Sequence, residues 1–160
     1  MNHAWRIRLV LLSLAWLPMK VDAGQLLLVG VPREQLPPGS VTWLARDPGG
    51  QVWVGTSSGL ARWSDGRFVD MTPTNGQPQV GVARLESSGD GGVWVLGPAW
   101  LRKCRDRQWI AEAEVSGLQR LIRSPTLRMY GDRSGGVWLV DRHLGVWAVS
   151  SEGKAWKLGE

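Results

Sequence analysis

The chain has 160 residues, of which 43% are hydrophobic, and it carries a formal net charge of +5. This length suits one ordinary domain, and the hydrophobic fraction excludes an intrinsically disordered chain. The basic residues are scattered apart from Arg102, Lys103 and Arg105. That distribution indicates a solvated surface, so we expect no nucleic-acid partner.

The first 23 residues have the order of a secretory signal peptide. Two arginines precede a short apolar run over residues 9–17, and Val21 and Ala23 stand at the small-residue positions before the cut. A membrane span needs about 20 apolar residues, so the run predicts an export signal over residues 1–23 and a periplasmic location. An uncleaved amphipathic anchor is the alternative. We expect membrane contact only through this segment or through regions downstream.

Residues 24–40 are interpreted as a leading strand and a loop. The apolar run over residues 25–30 predicts the strand, and the proline-containing stretch after it predicts the loop. This strand either pairs with the first four-stranded unit of the chain or completes the last unit of a closed ring.

One motif then recurs three times. Residues 47–54 read DPGGQVWV, residues 88–95 read SGDGGVWV and residues 132–139 read DRSGGVWL, so the tryptophans are 41 and 44 residues apart. Eleven tryptophans and 21 glycines stand against one tyrosine and one phenylalanine. This composition is typical of a repeat in which one large flat side chain fills the same position in every unit.

Each unit divides into four short strands. In the first unit we predict strands over residues 41–46, 51–55, 60–63 and 68–71, with glycine-rich or Asp-Gly turns between them. Apolar residues run at period two rather than at the period of a helix. Four strands in about 40–45 residues match one blade of a β-propeller.

The predicted fold is therefore an all-β partial β-propeller of about three four-stranded blades, over residues 41–160, after a signal peptide. The blades span about 41–81, 82–125 and 126–160. In the third blade, Trp156 is aligned with Phe68 and Trp109 of the other two. A closed propeller usually has 4–8 blades. We therefore expect that the chain is a fragment lacking further blades, or that it closes a ring with other copies of itself.

Residues that recur in every unit are interpreted as packing and turn positions rather than as functional ones. These structural motif residues are Asp47, Gly50, Trp53, Gly91, Trp94, Asp132, Gly135 and Trp138. The lone Cys104 excludes an internal disulfide, and its place inside a strand predicts burial.

Ligand contacts are expected where the units differ, in the loops between the second and third strands, which share one rim. The candidates are Ser57, Ser58, Trp100, Arg142 and His143, and plain surface is the alternative for each. We predict no catalytic residue, no metal site and no cofactor, because the chain lacks the motifs of metal, phosphate and redox sites. An enzyme that uses His143 on the rim remains an alternative.

The run over residues 47–62, DPGGQVWVGTSSGLAR, resembles the two-component regulator propeller repeat, and the resemblance extends over residues 41–160. The second and third copies depart from the pattern after their tryptophans. The resemblance implies a non-catalytic, periplasmic ligand-sensing module of a membrane-bound regulator. It also implies an unknown extracellular ligand, and an output histidine kinase or diguanylate cyclase outside this chain. The alternatives are a propeller enzyme of the streptogramin-lyase type and a self-associating scaffold.

Overall fold

The computed structural model describes residues 33–75 and 81–159 of the chain. The predicted signal peptide and the predicted strand over residues 25–30 lie outside these residues. In the part of the chain that is described, no helix is long and apolar enough to cross a membrane.

The described strands form three four-stranded antiparallel sheets, each with its strands in chain order. Blade 1 consists of β1 (Val41–Arg46), β2 (Val52–Thr56), β3 (Leu60–Ser64) and β4 (Arg67–Asp70). Blade 2 consists of β5 (Arg84–Ser87), β6 (Val93–Leu96), β7 (Leu101–Arg105) and β8 (Gln108–Ala113). Blade 3 consists of β9 (Arg128–Gly131), β10 (Val137–Asp141), β11 (Gly145–Val149) and β12 (Ala155–Leu158). A 3-10 helix, Arg33–Gln35, precedes blade 1, and the helix α1 (Leu118–Arg123) joins blades 2 and 3.

The first strands of the three blades, β1, β5 and β9, are neighbours in space. This arrangement places the three sheets side by side around common inner strands, as in a propeller. The prediction of an all-β partial propeller is confirmed. The strands predicted in blade 1 agree with the observed ones to within one residue at each end.

Turn chemistry explains where the strands reverse. The motif glycines Gly50, Gly91 and Gly135 have φ of 85°, 85° and 93°, a region that favours glycine. The hairpin between β3 and β4 uses Asp65 and Gly66 at φ of 52° and 81°. Two successive residues of positive φ match the twist of the flanking strands.

The core lies in the seams between blades. One cluster joins Trp53 and Leu60 of blade 1 to Leu85, Val93 and Val95 of blade 2. A second, larger cluster joins blades 2 and 3. It includes Trp94, Leu96, Leu101, Met129, Val137, Leu139 and Trp147. A blade is apolar on both faces, so stacking buries what one sheet alone would leave in water.

The three motif tryptophans show how this stacking works. Trp53 and Trp94, which face the next blade, are 1% and 0% exposed, whereas Trp138 is 36% exposed. No strand in the described ranges covers the face of blade 3 that carries Trp138.

The predicted alignment of Trp156 with Phe68 and Trp109 is wrong. Phe68 and Trp109 pair with Trp63 and Cys104, but Trp156 pairs with Ala148, which is itself opposite Trp138. The loop before β12 has five residues rather than two, and this changes the register. Because side chains alternate along a strand, Trp156 lies on the same face of blade 3 as Trp138.

A buried cation also joins blades 2 and 3. The side chain of Lys103 is 1% exposed, and its ammonium donates to Asp90 at 2.6 Å and to the Gly135 carbonyl at 2.8 Å. Burial alone would raise the pKa of Asp90. Hydrogen bonds from Lys103, Ser88 and Arg105 outweigh that effect and hold the pKa well below its usual range.

The inner strands approach closely where glycine replaces a side chain. A Cβ at Gly131 of β9 would overlap the carbonyl oxygen of Ser87 in β5. A backbone atom cannot move aside as a flexible side chain can, so this contact fixes glycine at position 131.

We therefore predict that Gly131→Ala lowers the free energy of unfolding by about 1–3 kcal/mol, as overpacking does elsewhere. The matched control is Gly81→Ala, because a Cβ there meets its nearest atom, Cγ of Pro98, at 3.6 Å. The control should change stability by less than about 0.5 kcal/mol. Urea unfolding measures both values, and equal losses in the two variants would contradict the close-approach explanation.

The Lys103–Asp90 pair should make the free energy of unfolding depend on pH. Because folding lowers the pKa of Asp90, its stabilising contribution is complete above the unfolded pKa of about 4 and is lost as the pH falls below it. We expect Asp90→Asn to lower the free energy of unfolding at neutral pH by about 2 kcal/mol, because Lys103 is left buried without its counter-charge.

The difference between the parent protein and Asp90→Asn should then shrink as the pH falls from about 4 to about 2. Urea unfolding at a series of pH values measures it. Asp106→Asn, at an exposed hairpin position, is the control and should show no such difference. A gap between parent and Asp90→Asn that stays constant with pH would exclude Asp90 as its source.

Candidate functional site

Ser57 and Ser58, predicted as ligand contacts, use their hydroxyls within the fold. The Ser57 Oγ accepts a hydrogen bond from the Ser40 amide at 3.2 Å, and the Ser58 hydroxyl donates to the Pro38 carbonyl. These bonds hold the segment before blade 1 against the loop between β2 and β3. Both serines therefore have a structural partner, and a ligand contact at either one stays a prediction.

Trp100 lies in a cluster of aromatic and charged side chains on blade 2. Its ring meets the Trp109 ring edge-on, with centroids 5.3 Å apart. The guanidinium of Arg102 lies 5.3 Å from the Trp100 centroid and 5.9 Å from the Trp109 centroid, and it pairs with Glu112 at 3.0 Å. A cation held over two rings and paired with a carboxylate keeps this part of the rim ordered.

Arg142 and His143 are exposed in the loop after β10. Buried Asp141 shapes this loop, because one carboxylate oxygen accepts the backbone N–H groups of His143 at 3.0 Å and Leu144 at 2.9 Å. The other oxygen accepts the hydroxyl of Ser124 at 2.5 Å and also that of Thr126. These hydrogen bonds, that from Ser124 above all, hold the pKa of Asp141 well below its usual range.

A cleft of about 360 Å³ opens beside this loop, at the seam between blades 2 and 3. We call it the seam cleft. Blade 2 and its connection to blade 3 contribute Glu114, Ser116, Gly117 and Arg120. Blade 3 contributes Leu144, Trp147, Ala155, Trp156 and Lys157. The lining therefore combines two basic side chains, one acidic side chain, a hydroxyl and apolar surface.

Trp147 forms part of the wall of the seam cleft and carries a buried polar group. The Trp147 side chain is buried, and its indole N–H has no hydrogen-bond partner in the part of the chain that the structure describes. The ammonium of Lys157 lies 5.6 Å from the centre of the Trp147 ring. A buried donor without an acceptor costs about 1–3 kcal/mol, so Trp147 is a local weak point in the packing of this seam.

The connection between blades 2 and 3 positions Arg120 in the seam cleft. Helix α1 buries Leu121 in the core, with Leu118 and Ile122 packed beside it, and leaves Arg120 exposed. The hydrogen bonds of Asp141 to Ser124 and Thr126 fasten the residues after α1 to blade 3. The helix and its attachment together fix one wall of the cleft.

A second cleft of about 400 Å³ is lined by residues that include Trp100, Glu112 and Glu114, and it shares Glu114 with the seam cleft. Of the five predicted contact residues, only Trp100 lines either cleft. Sequence reasoning missed Glu114, Ser116, Arg120 and Trp147. The available signal was the longer spacing between the second and third motif tryptophans, which marks the connection that carries α1.

The described residues contain neither a reactive thiol nor a cluster of metal-ligating side chains. Cys104 is buried, and burial raises the pKa of its thiol to about 12, so the neutral thiol persists at neutral pH. Among the described residues, no three His, Cys, Asp or Glu side chains are placed together to hold a metal ion.

Several solved structures resemble this chain at low sequence identity. The structure of YCF48 bound to D1 peptide is 16% identical with a TM-score of 0.49, and the match covers 74% of this chain and 39% of that one. Virginiamycin B lyase from Staphylococcus aureus is 18% identical with a TM-score of 0.48, and the match covers 75% and 42%.

The extracellular domain of the hybrid two component system BT4673 from B. thetaiotaomicron is 16% identical with a TM-score of 0.45. That match covers 71% of this chain and 16% of the domain. The chain thus spans less than half the length of each of these three structures. No curated protein matches the sequence.

The family comparison falls on blade 1. Residues 35–58 match the model described as two component regulator propeller. The matched segment runs from the end of the 3-10 helix through β1 and β2, and it includes the motif residues Asp47, Gly50 and Trp53. The resemblance recognised from the motif is thus confirmed over residues 35–58, the segment that matches the family model.

Proposed function

We propose that this chain is a non-catalytic ligand-sensing module of a bacterial transmembrane signalling receptor, exported to the periplasm. The observation that carries the proposal is the two-component regulator propeller repeat at residues 35–58. The output histidine kinase or diguanylate cyclase would lie outside this chain. The ligand would bind in the seam cleft.

The lining of the seam cleft favours a small ligand with an anionic group beside a flat apolar part. Arg120 would form a charge-assisted hydrogen bond with a carboxylate, and the Ser116 hydroxyl would offer a further hydrogen bond. Leu144 and those parts of Trp147 and Trp156 that line the cleft would pack against the apolar part of the ligand. Glu114 would disfavour a ligand with several negative charges, because like charges at close range repel.

The position of the seam cleft suggests how binding could be transmitted. The ligand would contact the connection from blade 2 on one side and strands β11 and β12 of blade 3 on the other. A ligand shifts a conformational equilibrium only by its difference in affinity between the states. A site shared by two blades supplies that difference, since any change in their spacing alters the contacts.

We predict that benzoate stabilises the protein and that benzamide, its uncharged analogue, does so far less. A ligand at about 100 times its dissociation constant adds about 2.7 kcal/mol to the free energy of unfolding, which a thermal-shift measurement detects. Arg120→Ala should abolish the benzoate effect. The matched control Arg123→Ala removes a charge from the same helix outside the seam cleft and should keep it.

Equal benzoate shifts in the two arginine variants would place binding elsewhere. No difference between benzoate and benzamide in the parent protein would contradict an anion site in the seam cleft. Neither result would contradict the receptor assignment, which a separate experiment tests.

The receptor assignment predicts the size and place of the native product. An antibody raised against residues 41–160 should detect a band in the membrane fraction of source cells, at a mass far above that of a 160-residue chain. Denaturing immunoblots of membrane, periplasmic and cytoplasmic fractions, each with a marker protein, measure this. A band of the chain's own size in a soluble fraction would contradict a transmembrane receptor.

A further inference from the structure

A further cleft, of about 320 Å³, lies where the motif turns of blades 1 and 2 meet. We call it the turn cleft. Blade 1 contributes Asp47, Pro48, Gly49 and Gln51 of its motif turn and Arg62 of β3, and blade 2 contributes Gly89 and Gly91. Among the described residues, none lines both the turn cleft and the seam cleft. A ligand in the turn cleft would therefore be distinct from one in the seam cleft.

The turn cleft carries one positive and one negative side chain, and one tryptophan holds both. The guanidinium carbon of Arg62 lies 5.3 Å from the centre of the Trp53 ring. The Trp53 indole N–H donates to one oxygen of Asp47 at 3.3 Å, and the Gln51 backbone N–H donates to the other at 2.9 Å. Both charged groups are thus held in place in the free protein, which lowers the entropy cost of binding a ligand.

These two charges do not neutralise each other. In the part of the chain that the structure describes, no carboxylate forms an ion pair with Arg62. Arg62 and Asp47 are both partly exposed, and both line the cleft. A cleft that offers a separate positive and negative group is complementary to a ligand that carries both charges.

The same place in blade 2 is closed by an ion pair. Lys103 is opposite the motif tryptophan of blade 2, as Arg62 is in blade 1, and its ammonium pairs with Asp90 at 2.6 Å. At the 41-residue spacing of these two repeats, Asp90 corresponds to Gly49. Blade 1 therefore keeps the cation and lacks the carboxylate that neutralises it in blade 2.

We propose that the turn cleft binds a free α-amino acid, with its carboxylate on Arg62 and its ammonium on Asp47. The ligand carboxylate takes the part that Asp90 has in blade 2, and an arginine can hold it through two parallel hydrogen bonds. A carboxylate offers about four acceptor positions, so Asp47 can accept from the ammonium besides its two bonds within the turn. The proposal depends neither on the ligand of the seam cleft nor on the receptor assignment.

Isothermal titration calorimetry of the whole chain with L-alanine tests the proposal. L-alanine is the probe because recognition is assigned to the two charges common to all α-amino acids. N-acetyl-L-alanine, which lacks the ammonium, and L-alaninamide, which lacks the carboxylate, are the matched control ligands. L-alanine should bind saturably at one site per chain, and each analogue should bind at least about tenfold more weakly, because each loses one charge-assisted contact.

Two substitutions remove the charges of the turn cleft one at a time. Arg62→Gln and Asp47→Asn should each weaken L-alanine binding by at least about tenfold. The control Arg67→Gln removes a charge from an exposed position of β4 outside the cleft and should bind as the parent does. Arg120→Ala, which alters the seam cleft, should also leave L-alanine binding unchanged. Circular dichroism checks that each variant is folded.

Gly49→Asp tests the comparison of the two repeats. The backbone of Gly49 is not in the left-handed region, and the nearest atom that a Cβ there would meet is Oδ1 of Asp47, at 3.2 Å. The added carboxylate would stand where Asp90 stands in blade 2 and would pair with Arg62. The variant should therefore fold and should no longer bind L-alanine.

Three results would overturn the proposal. The absence of saturable L-alanine binding to the parent protein excludes an amino-acid site in the turn cleft. Equal L-alanine binding by the parent, Arg62→Gln and Gly49→Asp places that binding elsewhere on the chain. N-acetyl-L-alanine that binds as tightly as L-alanine means that the cleft selects a simple carboxylate and that Asp47 does not hold an ammonium group.

Discussion

The burial of one tryptophan per blade against the next blade is the contact on which the rest of this structure depends. Trp53 and Trp94 are nearly inaccessible to water because the following sheet covers them. Removing a large aromatic side chain from such a core costs about 3–5 kcal/mol, which is a large part of the stability of a small domain. The motif turns, the close approach of β5 and β9 and the buried charges all serve to bring successive sheets into this contact.

The repeat tolerates departures because a lost interaction is replaced nearby. In blade 1, Asp47 accepts a hydrogen bond from the Trp53 indole at 3.3 Å. Blade 2 has Ser88 at that position, and its Trp94 indole donates instead to the Gly135 carbonyl of blade 3 at 3.0 Å. Asp90, two residues after Ser88, supplies the carboxylate that blade 2 otherwise lacks and pairs it with Lys103. The indole N–H of each buried motif tryptophan thus keeps a partner even where the motif changes.

The sequence predicts the repeated part of this fold and little of the candidate site. Spacing, alternation and turn glycines specify strands, because each depends on local geometry that recurs three times. The wall that carries Arg120 lies in a connection present once, so no repeat reveals it. The alignment of Trp156 with Phe68 and Trp109 fails because a five-residue loop shifts the register by an amount that spacing alone does not give. The hydroxyls of Ser57 and Ser58 bind the chain's own backbone, a tertiary contact that a loop sequence does not show.

Strand β12 connects the seam cleft to the face of blade 3 that carries Trp138. Lys157 is opposite Trp147 on the side of the seam cleft, whereas Trp156 is opposite Ala148 in the row that includes Trp138. Side chains alternate along a strand, so these adjacent residues project to opposite faces of the blade. A ligand that displaced β12 would therefore move both faces of blade 3 together. It would do so only by its difference in affinity between the two positions of the strand.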